Sequence, residues 1–259
     1  MNDLRTSKQK NLIKYGDTFK IGTHILACGD ARDRTLVDRL LENAKVKLIC
    51  TDMPYGVQLS ESKKGFATMR VDKKILNDDI VREDEYVKFT IDWLMPLVPY
   101  LTTKNAAYLF NSDKMIFALR EGMKQSGWKF AQLLIWIKDH PVIGRLDYLP
   151  THELIAYGWR GRHEFRKSQD HSVLFCPKPN RSPLHPTQKP ISLLRRLILN
   201  STNINDVVYD CFAGSGSTGM ACEQTKRRCI MIERDEEYCQ TIINRFFKLF
   251  GLKAERIQL

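Results

Sequence analysis

The sequence predicts a three-layer α/β sandwich built on a mostly parallel sheet. Two observations carry this reading. Short apolar runs rich in Val, Ile and Leu recur without polar alternation, as strands buried on both faces do. Between them lie longer stretches with the helical spacing of apolar residues, and alternation of the two kinds of segment marks the three-layer class. A chain of 259 residues that is 43% hydrophobic suits one domain with a sizeable core.

In chain order, the apolar runs predict strands over 46–51, 106–110, 132–137, 207–209 and 228–232. Helical spacing predicts helices over 35–43, 83–97, 114–126, 191–199, 218–225 and 236–250. Two regions break the rhythm. Residues 60–77 are polar and lysine-rich and read as a long loop after a strand. Residues 140–184 are rich in Arg, His and Pro and read as largely irregular, with a short strand over 154–157.

Composition narrows the function. A net charge of +11 favours polyanionic partners, because each phosphate contact releases condensed counterions. The seven cysteines are scattered and form no C-x-x-C pair, which speaks against a disulfide framework and a zinc site and for a reducing cytoplasm. The six histidines show no ligand spacing, so no metal is expected. The first 14 residues are polar, so no secretory leader is expected, and no apolar run is long enough for a membrane span.

Residues 207–219, VVYDCFAGSGSTG, run from an apolar strand through a glycine-rich turn into a helix. Gly214, Gly216 and Gly219 give G-x-G-x-x-G, which lets a nucleotide-type ligand approach the backbone. The next strand ends at Glu233, where a carboxylate can accept from ribose hydroxyls. Asp210 precedes the turn and Phe212 lies within it. An acid there suits the ammonium and sulfonium of S-adenosyl-L-methionine and repels the pyrophosphate of NAD.

The strand over 46–51 ends directly in Asp52-Met53-Pro54-Tyr55. Pro54 stiffens this loop and disfavours helix at Met53. The loop sets a carboxylate, backbone carbonyls and an aromatic ring at a strand's C-terminal edge, where open α/β sheets bind ligands. This kit suits methyl transfer to a weakly nucleophilic aryl amine. The Asp52 carboxylate and Met53 carbonyl can accept from the two N–H bonds and localise the lone pair, while Tyr55 stacks on the ring.

Taken together, these segments resemble the amino-DNA methyltransferases. Residues 52–55 resemble their D/N/S-P-P-Y motif, with Met53 in place of the first proline, and residues 210–218 resemble their cofactor motif. The catalytic motif comes first, which resembles the circularly permuted β class. Residues 26–30, LACGD, resemble the segment whose acid, here Asp30, lies near the cofactor adenine. Residues 185–190, HPTQKP, resemble the segment beside the methionine end of the cofactor. The 136–138 and 152–153 segments also fit.

The resemblance, which covers about residues 15–247, implies several expectations. The fold is the Rossmann-like class I methyltransferase fold, permuted, in one domain with a catalytic half over about 20–139, a target-recognition insertion over about 140–184 and a cofactor half over about 185–250. The cofactor is S-adenosyl-L-methionine, touched by Asp30, Thr51, Thr187, Lys189, Asp210, Phe212, Gly214, Gly216, Thr218 and Glu233. The substrate is double-stranded DNA, with the target base flipped. The chain is a homodimer in the cytoplasm of a prokaryote or encoded by a phage. An Asp at the first motif position points to adenine N6. Cytosine N4, and a non-catalytic DNA-binding protein on this scaffold, remain alternatives. Arg145, Arg160, Arg162 and Arg166 in the insertion are expected to contact DNA, with Lys63 and Lys64 of the 60–77 loop on phosphate.

Overall fold

The computed structural model describes residues 13–55, 80, 82–141, 147–167, 169–178 and 188–258. One ten-stranded sheet runs through the molecule in the order β10-β1-β2-β9-β8-β3-β4-β6-β5-β7. Its strands are β1 (Thr18–Ile21), β2 (His24–Cys28), β3 (Val46–Asp52), β4 (Leu101–Asn111), β5 (Lys129–Ile137), β6 (His152–Trp159), β7 (Val173–Phe175), β8 (Val207–Asp210), β9 (Arg228–Glu233) and β10 (Ala254–Ile257). Only β1 and β6 run against the others.

Among the described residues six α-helices cover the two faces: α1 (Arg34–Leu41), α2 (Glu83–Leu94), α3 (Ile116–Gln125), α4 (Ile191–Ser201), α5 (Ser217–Thr225) and α6 (Glu236–Phe250). Alternate residues of the central strands feed two cores. Tyr108 and Phe110 of β4 and Met231 of β9 pack with Leu197 of α4, Met220 of α5 and Phe246 of α6. Leu109 of β4 and Ile232 of β9 pack on the other face with Leu41 of α1, Trp93 of α2 and Leu119 of α3. Burial on both faces is why these strands read as unbroken apolar runs.

The structure corrects three sequence expectations. The helix expected over 83–97 stops at Leu94 and continues as a 3₁₀ turn, Met95–Tyr100, because Pro96 and Pro99 cannot donate to an α-helical ladder. The strands β1, β2, β7 and β10 were not expected. The short strand expected over 154–157 is the longer β6, an interior strand paired with both β4 and β5.

The connectivity fixes where a ligand can bind. From β3 the chain crosses through α2 to β4 on one side, and from β8 it crosses through α5 to β9 on the other. Neighbouring strands β3 and β8 therefore form a topological switch point, with a crevice outside their carboxyl ends. Asp52 and Asp210 are the last residues of those two strands.

Candidate active site

At the switch point, Thr51 Oγ1 donates to Asp210 Oδ1 at 2.7 Å and so joins the two halves of the sheet. The Phe212 amide also approaches Asp210 Oδ1, at 3.3 Å. Burial pushes the Asp210 carboxyl up to about 6, against the lowering effect of hydrogen bonds from Thr51 and Thr218. Glu233, at the end of β9, accepts from the Gly214 amide at 2.7 Å and the Asp235 amide at 2.8 Å. Burial raises its carboxyl to about 7 despite those bonds. Among the described residues neither acid forms an ion pair with Lys or Arg.

The turn between them needs glycine. Gly216 caps α5 in the left-handed region at φ 78°, and a Cβ there would lie 2.9 Å from Ile242 Cγ1. At Gly219 a Cβ would come within 2.6 Å of Met231 Sδ and 3.0 Å of Phe246 Cζ, so glycine lets α5 lie close on the sheet. Arg245 of α6 holds the turn from behind, donating to the Ser215 carbonyl and, at 3.0 Å, standing within reach of Ser215 Oγ.

Beyond Thr51 the strand opens into the loop of residues 52–55. Asp52 has its Oδ1 2.7 Å from the Tyr55 hydroxyl and its Oδ2 2.5 Å from Lys189 Nζ. Glu153 of β6 completes the cluster, with Oε2 2.9 Å from the Tyr55 hydroxyl and 3.1 Å from Lys189 Nζ. Its Oε1 lies 2.8 Å from Lys138 Nζ. Burial raises the Asp52 carboxyl above its usual value; Lys189 opposes that rise and the Glu153 charge adds to it. Burial also pushes on Glu153, but Lys189 and Lys138 outweigh it and hold the group at about 2. Burial works against the Lys189 charge, yet Asp52 and Glu153 leave its value raised.

The loop is held from below. The Tyr86 hydroxyl donates to the Pro54 carbonyl at 2.7 Å and accepts from Asn111 Nδ2 at 2.9 Å. The Met53 side chain is buried in the core of the α1–α3 face. With its side chain in the core, position 53 has only its backbone left to present to a ligand.

Of the residues expected from sequence, Thr51, Asp52, Lys189, Gly214 and Thr218 line one cavity together with Phe110, Gln188, Ser215 and Ser217. Asp210 and Glu233 back that cavity through Thr51 and Gly214. Phe212 turns away from it and packs on Phe89 and Trp93 of α2, at ring-centroid distances of 5.7 and 5.6 Å. Asp30 sits beyond β2 and is bound by Arg32, at 2.7 Å from Nη2, with Arg234 3.5 Å away. Lys63, Lys64, Arg145 and Thr187 lie outside the described residues.

Arg160, Arg162 and Arg166 are not brought to the site. The Arg160 amide donates to Asn105 Oδ1, and the Asn105 amide donates to the Arg162 carbonyl, near the start of β4. Asp52 pairs with Phe110 near the end of that strand. At about 3.3 Å per residue the separation is about 17 Å, along the sheet to its opposite edge. Arg166 lies on that same side, its amide bonded to the Asn200 carbonyl at the end of α4. Any contact these three make with DNA falls outside the cavity.

Glu153 and Lys138 were not singled out as site residues. Their signal in the sequence is the fit of the 136–138 and 152–153 segments to the family pattern, which assigns neither side chain a place at the site. Among the described residues no group of His, Cys, Asp and Glu is placed to hold a metal ion. No helix of the described residues is long and apolar enough to cross a membrane.

The profile of the DNA methylase family, the N6/N4 methyltransferases, matches residues 46–245. The chain belongs to the DNA methylase family. This methylase is 27% identical over 227 residues to the type II methyltransferase M.HpaI of Haemophilus parainfluenzae, across 77% of this chain and 68% of that protein. It is 24% identical over 252 residues to the type II methyltransferase M2.DpnII of Streptococcus pneumoniae, across 90% and 88% of the two chains. The crystal structure of the M1.HpyAVI–SAM complex superposes with a TM-score of 0.63 at 25% identity, covering 85% of the methylase and 98% of that chain.

The methylase's cofactor is S-adenosylmethionine, and the described residues fit it. Asp210 and Glu233 are carboxylates without a Lys or Arg partner among the described residues, beside a glycine cradle, which is the complement of a ligand carrying ammonium, sulfonium and ribose hydroxyls. The protein is thus an S-adenosylmethionine-dependent DNA methyltransferase with the class I fold.

Proposed function

We propose that this methyltransferase is site-specific, acts on N6 of adenine in double-stranded DNA, and receives its target base flipped out of the helix. The observation that carries the reading is the Asp52 carboxylate at the cavity wall, which already accepts an N–H donor at Oδ2. In this family an Asp at that position goes more with adenine than with cytosine.

Bound S-adenosylmethionine supplies an electrophilic methyl group on a sulfonium. The protein supplies the rest. Asp210 and Glu233 would hold the charged and ribose ends of the cofactor, with Gly214, Gly216 and Thr218 forming the close backbone approach. An exocyclic amine is a weak nucleophile because its lone pair is delocalised into the ring. Asp52 Oδ2 and the Met53 carbonyl would accept its two N–H bonds and turn the lone pair toward the methyl group. Tyr55 would stack on the extruded base, a contact worth about 1–3 kcal/mol. The nitrogen then has one proton to lose. Of the two carboxylates, Asp52 is the one with the raised affinity for a proton, so Asp52 takes it.

A homodimer belongs to this reading, because the segment of about 45 residues over 140–184 is short for a recognition domain and a second copy would share the work. Sedimentation with and without DNA tests it. The chemistry is tested with methyl-labelled cofactor and genomic DNA digested to nucleosides. Label in N6-methyladenine is expected. Label in N4-methylcytosine replaces the base assignment, and label confined to protein refutes the reading.

A further inference from the structure

The geometry points to Glu153 as a positioning residue that draws the Lys189 ammonium off Asp52 when the target amine enters, so that amine and ammonium exchange places on Asp52 Oδ2. The inference rests on the methyl-transfer reading above.

Lys189 Nζ stands 2.5 Å from Asp52 Oδ2, in the place where that reading puts the amine nitrogen. An ammonium left there opposes the reaction, because methylation places positive charge on the amine nitrogen and like charges at contact distance repel. The lysine also cannot leave for water cheaply. Its side chain is only 5% exposed and its Nζ lies 5.3 Å from the Tyr55 ring centre and 5.2 Å from that of Phe110. A buried ammonium needs an anion at every stage.

Glu153 is that anion. Its Oε2 is already 3.1 Å from Lys189 Nζ, so a small swing of the lysine head transfers it from one carboxylate to the other. Glu153 is itself fixed. Lys138, with a side chain 3% exposed, holds Oε1, and the Tyr55 hydroxyl reaches Oε2. Two lysines against two acids leave the cluster neutral in either arrangement. Glu153 touches neither base nor cofactor in this scheme and acts through Lys189.

The groups facing Asp52 are Tyr55 from its own loop, Lys189 ahead of α4, Glu153 from β6 with Lys138 behind it, and Asp210 from β8 through Thr51. The Glu153 charge raises the Asp52 carboxyl, so its removal lowers it. The test is Glu153→Gln, which keeps the shape and removes the charge, assayed for methyl transfer to DNA at saturating cofactor beside the wild type.

At least a tenfold loss of kcat is expected, with cofactor affinity within twofold by calorimetry and the acid limb of the pH profile moved to lower pH. Adding Lys189→Met to Glu153→Gln removes the stranded ammonium and is expected to recover at least fivefold over Glu153→Gln alone. If Glu153→Gln melts early, Glu153→Asp replaces it and is expected to keep most activity and the wild-type acid limb. A Glu153→Gln enzyme within twofold of wild type, a double variant no faster than Glu153→Gln, or a Glu153→Asp enzyme that has lost activity overturns the exchange. Wild-type transfer to DNA with any of these results refutes the exchange alone, whereas a wild type that transfers no methyl group to DNA refutes the function it rests on.

Discussion

Affinity for S-adenosylmethionine should rise with pH between pH 5 and pH 8, because the acid proposed to meet its ammonium is one that burial keeps partly protonated. Asp210 is held at about 6 and Glu233 at about 7. If only ionised Asp210 binds well, the apparent Kd grows by one plus ten to the power of pKa minus pH. This is about 10-fold weaker at pH 5 than at pH 8. If Glu233 must also be ionised to accept from the ribose hydroxyls, its own factor at pH 5 is about 100, and the two together reach about 1000-fold. The free protein responds in the opposite sense. Both acids have folded values above their unfolded ones, so the stability they contribute is present below about pH 4 and is lost as pH rises through 6 and 7. Cofactor binding and free-protein stability should therefore move against each other. Isothermal titration at half-unit steps, with circular dichroism to confirm folding at each pH, reads both. Asp210→Asn keeps the acceptor for Thr51 but cannot ionise, and it should flatten the Asp210 part of the slope. A Kd constant within twofold from pH 5 to pH 8, or an unchanged slope in Asp210→Asn, would show that Asp210 does not meet the ligand's positive charge.

Three further outcomes follow from the geometry. Asp52→Ala should lower kcat by about 10²–10³ and leave cofactor affinity within about twofold, since a group that orients the nucleophile acts on the chemical step; equal rates in a single-turnover assay would refute that role. Gly219→Ala drives a Cβ to 2.6 Å from Met231 Sδ and should cost about 1–3 kcal/mol by overpacking, read as a loss of several degrees in Tm. Tyr86→Phe strands the Pro54 carbonyl and should cost about 1–3 kcal/mol together with a several-fold loss of kcat, measured by denaturant melts and steady-state assays.

Much of this molecule was legible in its sequence because burial and chemistry leave local marks. Strands β3, β4, β8 and β9 are buried on both faces, so each is an apolar run with no competing pattern. The glycines at 216 and 219 have conformational and steric reasons readable from a strand-turn-helix context. The short strands β1 and β10 exist because they pair with each other, and four residues such as Ala254–Ile257 have no periodicity of their own. The charge cluster was hidden for a related reason. Lys189 meets Asp52 across 137 residues of sequence, and Tyr55 meets Glu153 across 98. Only a folded sheet says which lysine faces which acid. Composition reveals a basic segment but not where the fold delivers it, and the backbones of Arg160 and Arg162 lie beside Asn105 of β4, away from Asp52.

The bond between Thr51 and Asp210 joins residues 159 positions apart. During synthesis the catalytic loop emerges long before the strand that completes its crevice. Contacts of such long separation form late, after most of the loop-closure entropy has been overcome. An unfinished chain therefore carries Asp52 without Asp210 and Glu233, the acids proposed to hold the cofactor. The crevice is complete only with β8 beside β3, and a ligand that binds only this docked form stabilises it.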